Sequence, residues 1–566
     1  MRLPNIWGKG QSFALSALNG QSSNVRDFVG LLSGDRLGIR FESGVRRELA
    51  VVKLRGNQLN YEIVSSDCIK CVMRDGSAAM FIYHSHNLIV GRRATGNVVK
   101  VFTDGDVNEY AYDDNTTIQD TYNKELTALA VNGAQFAFAY GYDKTPDEVA
   151  ALAKSGLEVD LDALYEERVS YYREHSIDDD EYGLLYSKCM SAMKTELYAP
   201  EGDFPYIWST PDRVPHRFLW LWDSVFHGIG YSHLLPDVAQ QLILSIFIKQ
   251  HENGMISHEV GHDHTSRITQ PAVIAWGSWK VYQVTKDKAF LRTVYDANKR
   301  FLDWILKNRQ EGDSMLFRWV TSDDPNCRCD ECGLDNTPRY DEDRLLYAID
   351  FSCYMANDMR YMAKIAEELG EDPAPYMENF ERIVRAANET LWDEESGYYY
   401  DRDIETGEFI TCPTNTGLLA LFGGIATPER AERLVRDWLE NPNEFATPNP
   451  IPTLARSDEG YCKDMWRGPT WINLTYFVAE GLEDYGYLEE TTALRRRSVD
   501  MVKEWYEKTG CIFEFYDAEN ELSPYQLDRK GKAFEPRDHR MKLHAIPDFG
   551  WSCTLTLDMI HKLIEK

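Results

Sequence analysis

From Asp180 to the C-terminus, apolar residues recur with the 3.6-residue period of an α-helix almost without a break. The pattern marks about twelve helices, at roughly 180–198, 220–232, 235–250, 267–284, 288–309, 342–369, 373–392, 414–422, 427–440, 467–484, 488–508 and 548–564. Two kinds are interleaved. Segments such as PAVIAWGSWKVYQV and GPTWINLTYFVAEGL are apolar and aromatic-rich, whereas FLRTVYDANKRFLDWILKN and LVRDWLEN are charged and amphipathic. A helix that is apolar all round must be covered all round, so the first kind forms an inner layer and the second an outer one. Twelve helices in six such pairs close a toroid, and the fold class expected is mainly α, an (α/α)6 architecture. The connections vary too much in length for an open solenoid of fixed repeat.

Before this region the period changes. Between about residues 10 and 140, short alternating runs such as RLGIRFES, LNYEIVSS, SAAMFIYHS and NVVKVFTDGD are broken by Gly and Asp-Gly turns, the pattern of an antiparallel β-sandwich. TPDEVAALAKSG and DLDALYEERVSYYREH then read as connecting helices. The expected division is a β-sandwich over 1–145, a linker helix region over 146–179 and the toroid over 180–566. A chain of 566 residues with 43% hydrophobic content can fill two cores.

The formal charge of -30, with no separate cluster of Lys and Arg, repels phosphate backbones and anionic membranes, which excludes nucleic acid and lipid surfaces as partners. A neutral ligand feels little of that field, and a strongly anionic one needs a local group of Arg or Lys. No run of about 18 apolar residues suggests a membrane span, and the first residues, MRLPNIWGKGQSFAL, do not resemble a secretory signal. The expected location is the cytoplasm. Eleven cysteines, an odd number at low density, fit a reducing compartment. Cys327, Cys329 and Cys332 could take zinc only with a fourth ligand such as His258, His262 or His264. Without a paired CxxC motif they are expected to be free thiols, and neither metal nor cofactor is expected. Oligomeric state leaves no mark in the sequence.

The connections at 199–217, 251–266, 310–341, 393–413, 441–466 and 509–547 are long and recur after every second helix, so they should gather on one rim, where chemistry belongs. In or beside them, FLWLWDSVFHG (218–228), DECGLDNTPRYD (330–341), DMWRGPTW (464–471) and CIFEFYDAEN (511–520) combine Trp, Arg and carboxylates. Trp faces stack on pyranose rings, and Asp, Arg and Asn bind hydroxyls with paired hydrogen bonds, so a small carbohydrate is the expected partner. Trp222, Asp223, Arg339, Trp466, Arg467 and Trp551 are candidate sugar contacts, with a role holding Asp335 as the equal alternative for Arg339 and core packing as the alternative for Trp551. Glycoside hydrolysis needs two carboxyl groups flanking the scissile bond, but with 91 acidic residues composition does not choose them.

Five ordered motifs narrow the choice. ECGLDNTPR resembles the E-S-G-x-D-x-S-P-R signature of glycoside hydrolase family 63 and its trehalase-like relatives. MWRGPTWINLTYFVAEGL resembles their Y-W-R-G-P-x-W-x-N segment, PDFGWSC their F-G-W-S-A segment, and WDSVF (222–226) and TQPAVIAW (269–276) match in the same order. The resemblance covers about residues 200–560. It implies an (α/α)6 barrel, often behind a β-sandwich, and inverting hydrolysis of an α-linked glucoside or mannoside without a cofactor. Processing α-glucosidases and hydrolases of mannosylglycerate and glucosylglycerate belong to that group. It also implies Asp335 as general acid, Glu514 as general base and Gln270 among the substrate-binding residues. The chain departs from the pattern in two places: Cys332 replaces the usual Ser, and about 30 residues separate YDAEN from FGWSC. The second leaves Glu519 and Glu521 as alternative bases and suggests a loop over the site. An inverting glycoside phosphorylase and a catalytically silent sugar-binding protein remain alternatives.

Overall fold

The computed structural model describes residues 60–565 apart from 86, 104–105, 122–123, 199, 201, 213–215, 217, 262–263, 325–326 and 531–543, together with strand backbone at 12–14, 27–33, 36–42 and 47–52. The chain divides into two compact units. The first comprises residues 1–200 with 506–511, and the second residues 201–505 with 512–566.

The first unit holds two antiparallel sheets, one of five strands and one of eight. Turn chemistry sets their hairpins. Asp75-Gly76 closes the turn between the paired residues Val72 and Ala78, with Gly76 at a φ of +84° that an L side chain rarely adopts. The helix Pro146–Gly156 starts on a capping box of Thr145 and Glu148 and lies on the eight-stranded sheet, where Gly156 approaches Ala137 so closely that a Cβ would sit 2.6 Å from the Ala137 methyl. The helix Gly183–Thr195, which the periodicity groups with the toroid, falls in this unit. It is tied there by a fully buried ion pair between Lys194 and Asp67 and by Ser191, whose hydroxyl accepts from the Ser66 N–H at 2.8 Å.

The second unit is helical. Six helices, Leu221–Ser232, Ile274–Thr285, Ile349–Leu369, Leu419–Phe422, Ile472–Asp484 and Gly550–Ile564, touch in cyclic order, the last returning to the first. Each supplies one aromatic side chain to a shared cluster: Phe226, Trp276, Tyr354, Phe422, Phe477 and Trp551, joined by ring contacts with centroid distances of 4.5–6.5 Å. The amphipathic helices Pro236–Ser245, Lys288–Asn308 and Ala374–Thr390 each follow one of the six and pack against it. Polarity deep in this unit is concentrated and paired. Glu480 contacts Lys280, Lys562 and Arg495, while Asp558 receives His233 at 2.8 Å and the Tyr476 hydroxyl at 2.5 Å. No helix among the described residues is long and apolar enough to cross a membrane.

Candidate active site

One cavity of about 270 Å³ opens among the long connections of the helical unit. That is at the small end for ligand sites and suits a ligand of one or two rings. Five of the six long connections line it, contributing among others His216, His258, Asp335, Trp466 and Glu514; the connection 393–413 contributes nothing.

Asp335 stands on the turn that follows a short 3-10 helix, Asp330–Cys332. Three features hold that turn. Gly333 adopts a φ of +77° and lies against Trp222, whose Cζ2 would be 2.6 Å from an added Cβ, so a glycine is required on both counts. Glu331, fully buried, accepts from the backbone N–H of Thr269 and Val320 and from Arg309, so all its acceptor capacity is used. Cys332 makes the hydrogen bonds a serine would: its thiol donates to the Cys329 carbonyl at 3.0 Å and accepts from the Leu334 N–H at 3.3 Å.

Arg339 and Arg467 do not line the cavity. Arg339 is buried between Asp350 at 2.7 Å and Asp401 at 2.9 Å, which ties the DNTPR turn to the start of the helix Ile349–Leu369. Arg467 pairs through both terminal nitrogens with Asp341, at 2.7 and 2.6 Å, and the neighbouring Trp466 N–H donates to Asn336 at 3.0 Å. These contacts clamp the connection carrying Trp466 onto the one carrying Asp335.

Glu514 is buried in a segment pinned on both sides, by paired hydrogen bonds between Thr470 and Tyr516 and by the bridge between Phe513 and Pro547. Its carboxylate accepts from the Ile546 N–H at 3.2 Å and from Arg529 at 3.2 and 3.4 Å. Glu519 is spent on Arg456 and the Tyr461 hydroxyl, and Glu521 on Lys463; neither lines the cavity.

Lys530, the residue after Arg529, reaches the other carboxylate: its ammonium is 2.8 Å from Asp335 Oδ2 and 2.9 Å from Cys327 Sγ. Two consecutive cations thus address the two candidate carboxylates separately. Burial alone would raise Asp335, but Lys530, with help from Arg529 and His216, outweighs it and holds Asp335 below the usual carboxylate range. Asp330 goes the other way. Burial, and then the charge of Asp335, push it up to about 6.

The rest of the wall is aromatic with isolated polar atoms. Trp466 stacks on Trp471 at 3.5 Å, and Trp222 meets Trp551 edge-on at 5.4 Å. Asp223 Oδ1 and the indole nitrogens of Trp220, Trp466 and Trp551 are buried without a hydrogen-bond partner among the described residues, and all four side chains line the cavity. Buried polar atoms left this way are ordinarily completed by a ligand or water. Burial also raises Asp223 well above the usual carboxylate range. Gln270 accepts the Trp222 N–H at 3.1 Å and fixes the start of that helix.

Of the residues singled out from the sequence, Trp222, Asp223, Gln270, Asp335, Trp466, Glu514 and Trp551 therefore meet at one cavity. His258 lines it too, hydrogen-bonded to Ser266; His264 pairs with Glu259, and His262 lies outside the described residues. Cys329 and Cys332 meet each other, but the three thiols of the cysteine group do not gather at one point among the described residues. The atoms that gather with Cys327 Sγ, all within 4.8 Å of one another, are carboxylate oxygens of Asp330 and Asp335. Sequence reasoning missed Trp220, Trp471, Asp330, Arg529 and Lys530. The first two stood within the aromatic segments already marked, whereas the last two sit in a connection with no periodicity to interpret.

The model of the mannosylglycerate hydrolase MGH1-like glycoside hydrolase domain matches residues 216–552. A mannosylglycerate hydrolase of Rubrobacter radiotolerans is 22% identical over 444 residues, covering 62% of this chain and 92% of that protein. Another, of Thermus thermophilus, is 26% identical over 391 residues, covering 55% of this chain and 91% of that protein. A solved family 63 mannosylglycerate hydrolase, also of Thermus thermophilus and in complex with Tris, superposes with a TM-score of 0.54 at 23% identity, over 66% of this chain and 99% of that one, a likeness of fold. The matched segment runs over more than half of the chain and takes in every cavity-lining residue except Pro211. The chain belongs to the MGH1-like glycoside hydrolases of family 63 and is a glycoside hydrolase.

Proposed function

We propose that the enzyme cleaves an α-glucoside or α-mannoside of a small acidic aglycone, a glycosylglycerate first of all, by a single displacement that inverts the anomeric centre. Asp335 protonates the leaving oxygen and Glu514 activates the water. The observation that carries the reading is the pairing of Asp335 and Glu514 with different cations in one small aromatic cavity whose Asp223, Trp220, Trp466 and Trp551 keep polar atoms without a partner among the described residues. Those atoms suit sugar hydroxyls, with Trp222 and Gln270 shaping the same wall. Arg339 and Arg467 act as braces rather than as sugar contacts. Arg529 and Lys530 are the local cations that an anionic aglycone needs in a chain of net charge -30. The mannosylglycerate hydrolases among the relatives favour the same aglycone. The cyclic contact order of six helices, three of them each followed by an amphipathic helix packed against it, supports an (α/α)6 toroid, and the two antiparallel sheets of the first unit support a β-sandwich.

Incubation with α-mannosylglycerate, α-glucosylglycerate, trehalose and neutral α-linked disaccharides, with and without phosphate, tests this. The glycosylglycerates are expected to be turned over in preference to the neutral sugars, with free sugar released at a rate indifferent to phosphate. Preference for a neutral disaccharide would overturn the aglycone assignment. Release of a sugar phosphate would mean phosphorolysis instead of hydrolysis.

A further inference from the structure

A general acid must carry a proton when substrate arrives, yet Asp335 is paired with an ammonium that favours its ionised form. Asp330 resolves this. It lines the same cavity, it opens the 3-10 helix that leads into the Asp335 turn, and one of its oxygens gathers with an Asp335 oxygen and Cys327 Sγ within 4.8 Å. The thiol of Cys327 contacts Asp330 Oδ1 and also meets Lys530, so the four side chains form one connected group. Lys530 is ion-paired with Asp335 and only acts on Asp330 from further off, while the two carboxyl groups approach within 4.8 Å, and like charges in a confined site do not both ionise freely.

We propose that Asp330 stores the proton that Asp335 delivers, and that Lys530 decides which of the two carboxyls carries it. The inference rests on the hydrolytic reading above. Asp330 acts through Asp335 and is a positioning residue rather than a donor to substrate. As substrate enters, the proton on Asp330 passes to Asp335. Asp335 gives it to the glycosidic oxygen as the bond from that oxygen to the anomeric carbon breaks. Water supplies hydroxide to that carbon and a proton to Glu514, Glu514 releases its proton to solvent, and the Asp330–Asp335 pair takes one back. The charges facing the pair are Asp324 and Cys327 from its own connection, Lys530 and Arg529 from the later one, and His216 and His258 from the two earlier ones. The elevation of Asp330 to about 6 agrees with this placement.

The test is the pH dependence of kcat/KM with α-mannosylglycerate or α-glucosylglycerate, whichever is hydrolysed, for the wild type, Asp330→Asn and Lys530→Met. The alkaline limb reports loss of the acid proton. Asp330→Asn removes the proton store and a like charge, so the limb should move to lower pH by about one unit or more; Lys530→Met removes the cation, so it should move to higher pH. A residue with only a structural role would lower the rate at every pH and leave the limb in place. Limbs within a few tenths of a unit of wild type in both variants, or an alkaline shift in Asp330→Asn, would overturn the proposal. Should Asp330→Asn fail to fold, Asp330→Ser, which also removes the carboxyl group, takes its place in the same comparison. If Asp335→Asn retains full activity on the same substrate, the hydrolytic assignment of Asp335 fails first, which is a different outcome.

Discussion

Asp335→Asn is expected to lower kcat/KM for a natural α-glycoside about a thousandfold, close to 4 kcal/mol of transition-state stabilisation. Asparagine keeps the shape of the side chain and has no proton to give the departing oxygen. The loss should therefore depend on how much the leaving group needs that proton. An aryl α-glycoside whose phenolate leaves unaided should lose at least tenfold less than the natural substrate. Parallel rate measurements on the two substrates check this, and equal losses would contradict the role. The placement of Asp335 makes the comparison clean, because Glu331, Gly333 and Arg339 hold its turn by contacts that do not use the Asp335 carboxylate.

Glu514→Gln should reduce turnover about 10³- to 10⁴-fold on natural and activated substrates alike, because both need an activated water. The amide oxygen can still accept from the Ile546 N–H, so the fold should survive, which circular dichroism and thermal unfolding would verify. The uniform loss is the signature that separates base from acid. Retention of wild-type turnover in Glu514→Gln would transfer the role to another carboxylate. Glu519 and Glu521 are poor heirs, since each is held by a cation away from the cavity.

Much of the helical unit was legible because its helices have different surroundings. Ile472–Asp484 is buried over most of its length and its segment reads as apolar and aromatic-rich, whereas Lys288–Asn308 shows one stripe. The segments carrying Trp222, Asp335, Trp466 and Glu514 were legible for another reason: each combines aromatic residues or arginine with carboxylates, in or beside a long connection. What periodicity and local composition do not encode is which distant side chain will complete a charge. Arg339 and Arg467 beside aromatic residues read as hydroxyl clamps, but Asp350 and Asp401 hold the terminal nitrogens of the first and Asp341 those of the second, outside the cavity lining. Arg529 and Lys530 posed the converse problem, since nothing near them in the chain marks them as facing Glu514 and Asp335. The helix Gly183–Thr195 is periodic like its successors, and only its contacts with Asp67 and Ser66 assign it to the first unit.

The stereochemistry of the first product tests the single displacement most directly. Proton NMR of a concentrated reaction resolves the anomeric signals of the released sugar before mutarotation mixes them. With Asp335 as acid and Glu514 activating water on the opposite face, an α-glycoside yields the β-anomer first, and the α-signal grows only as the sugar equilibrates. Initial appearance of the α-anomer, or a glycosyl group trapped covalently on Glu514 or Asp335, would establish double displacement and contradict the roles assigned to both residues.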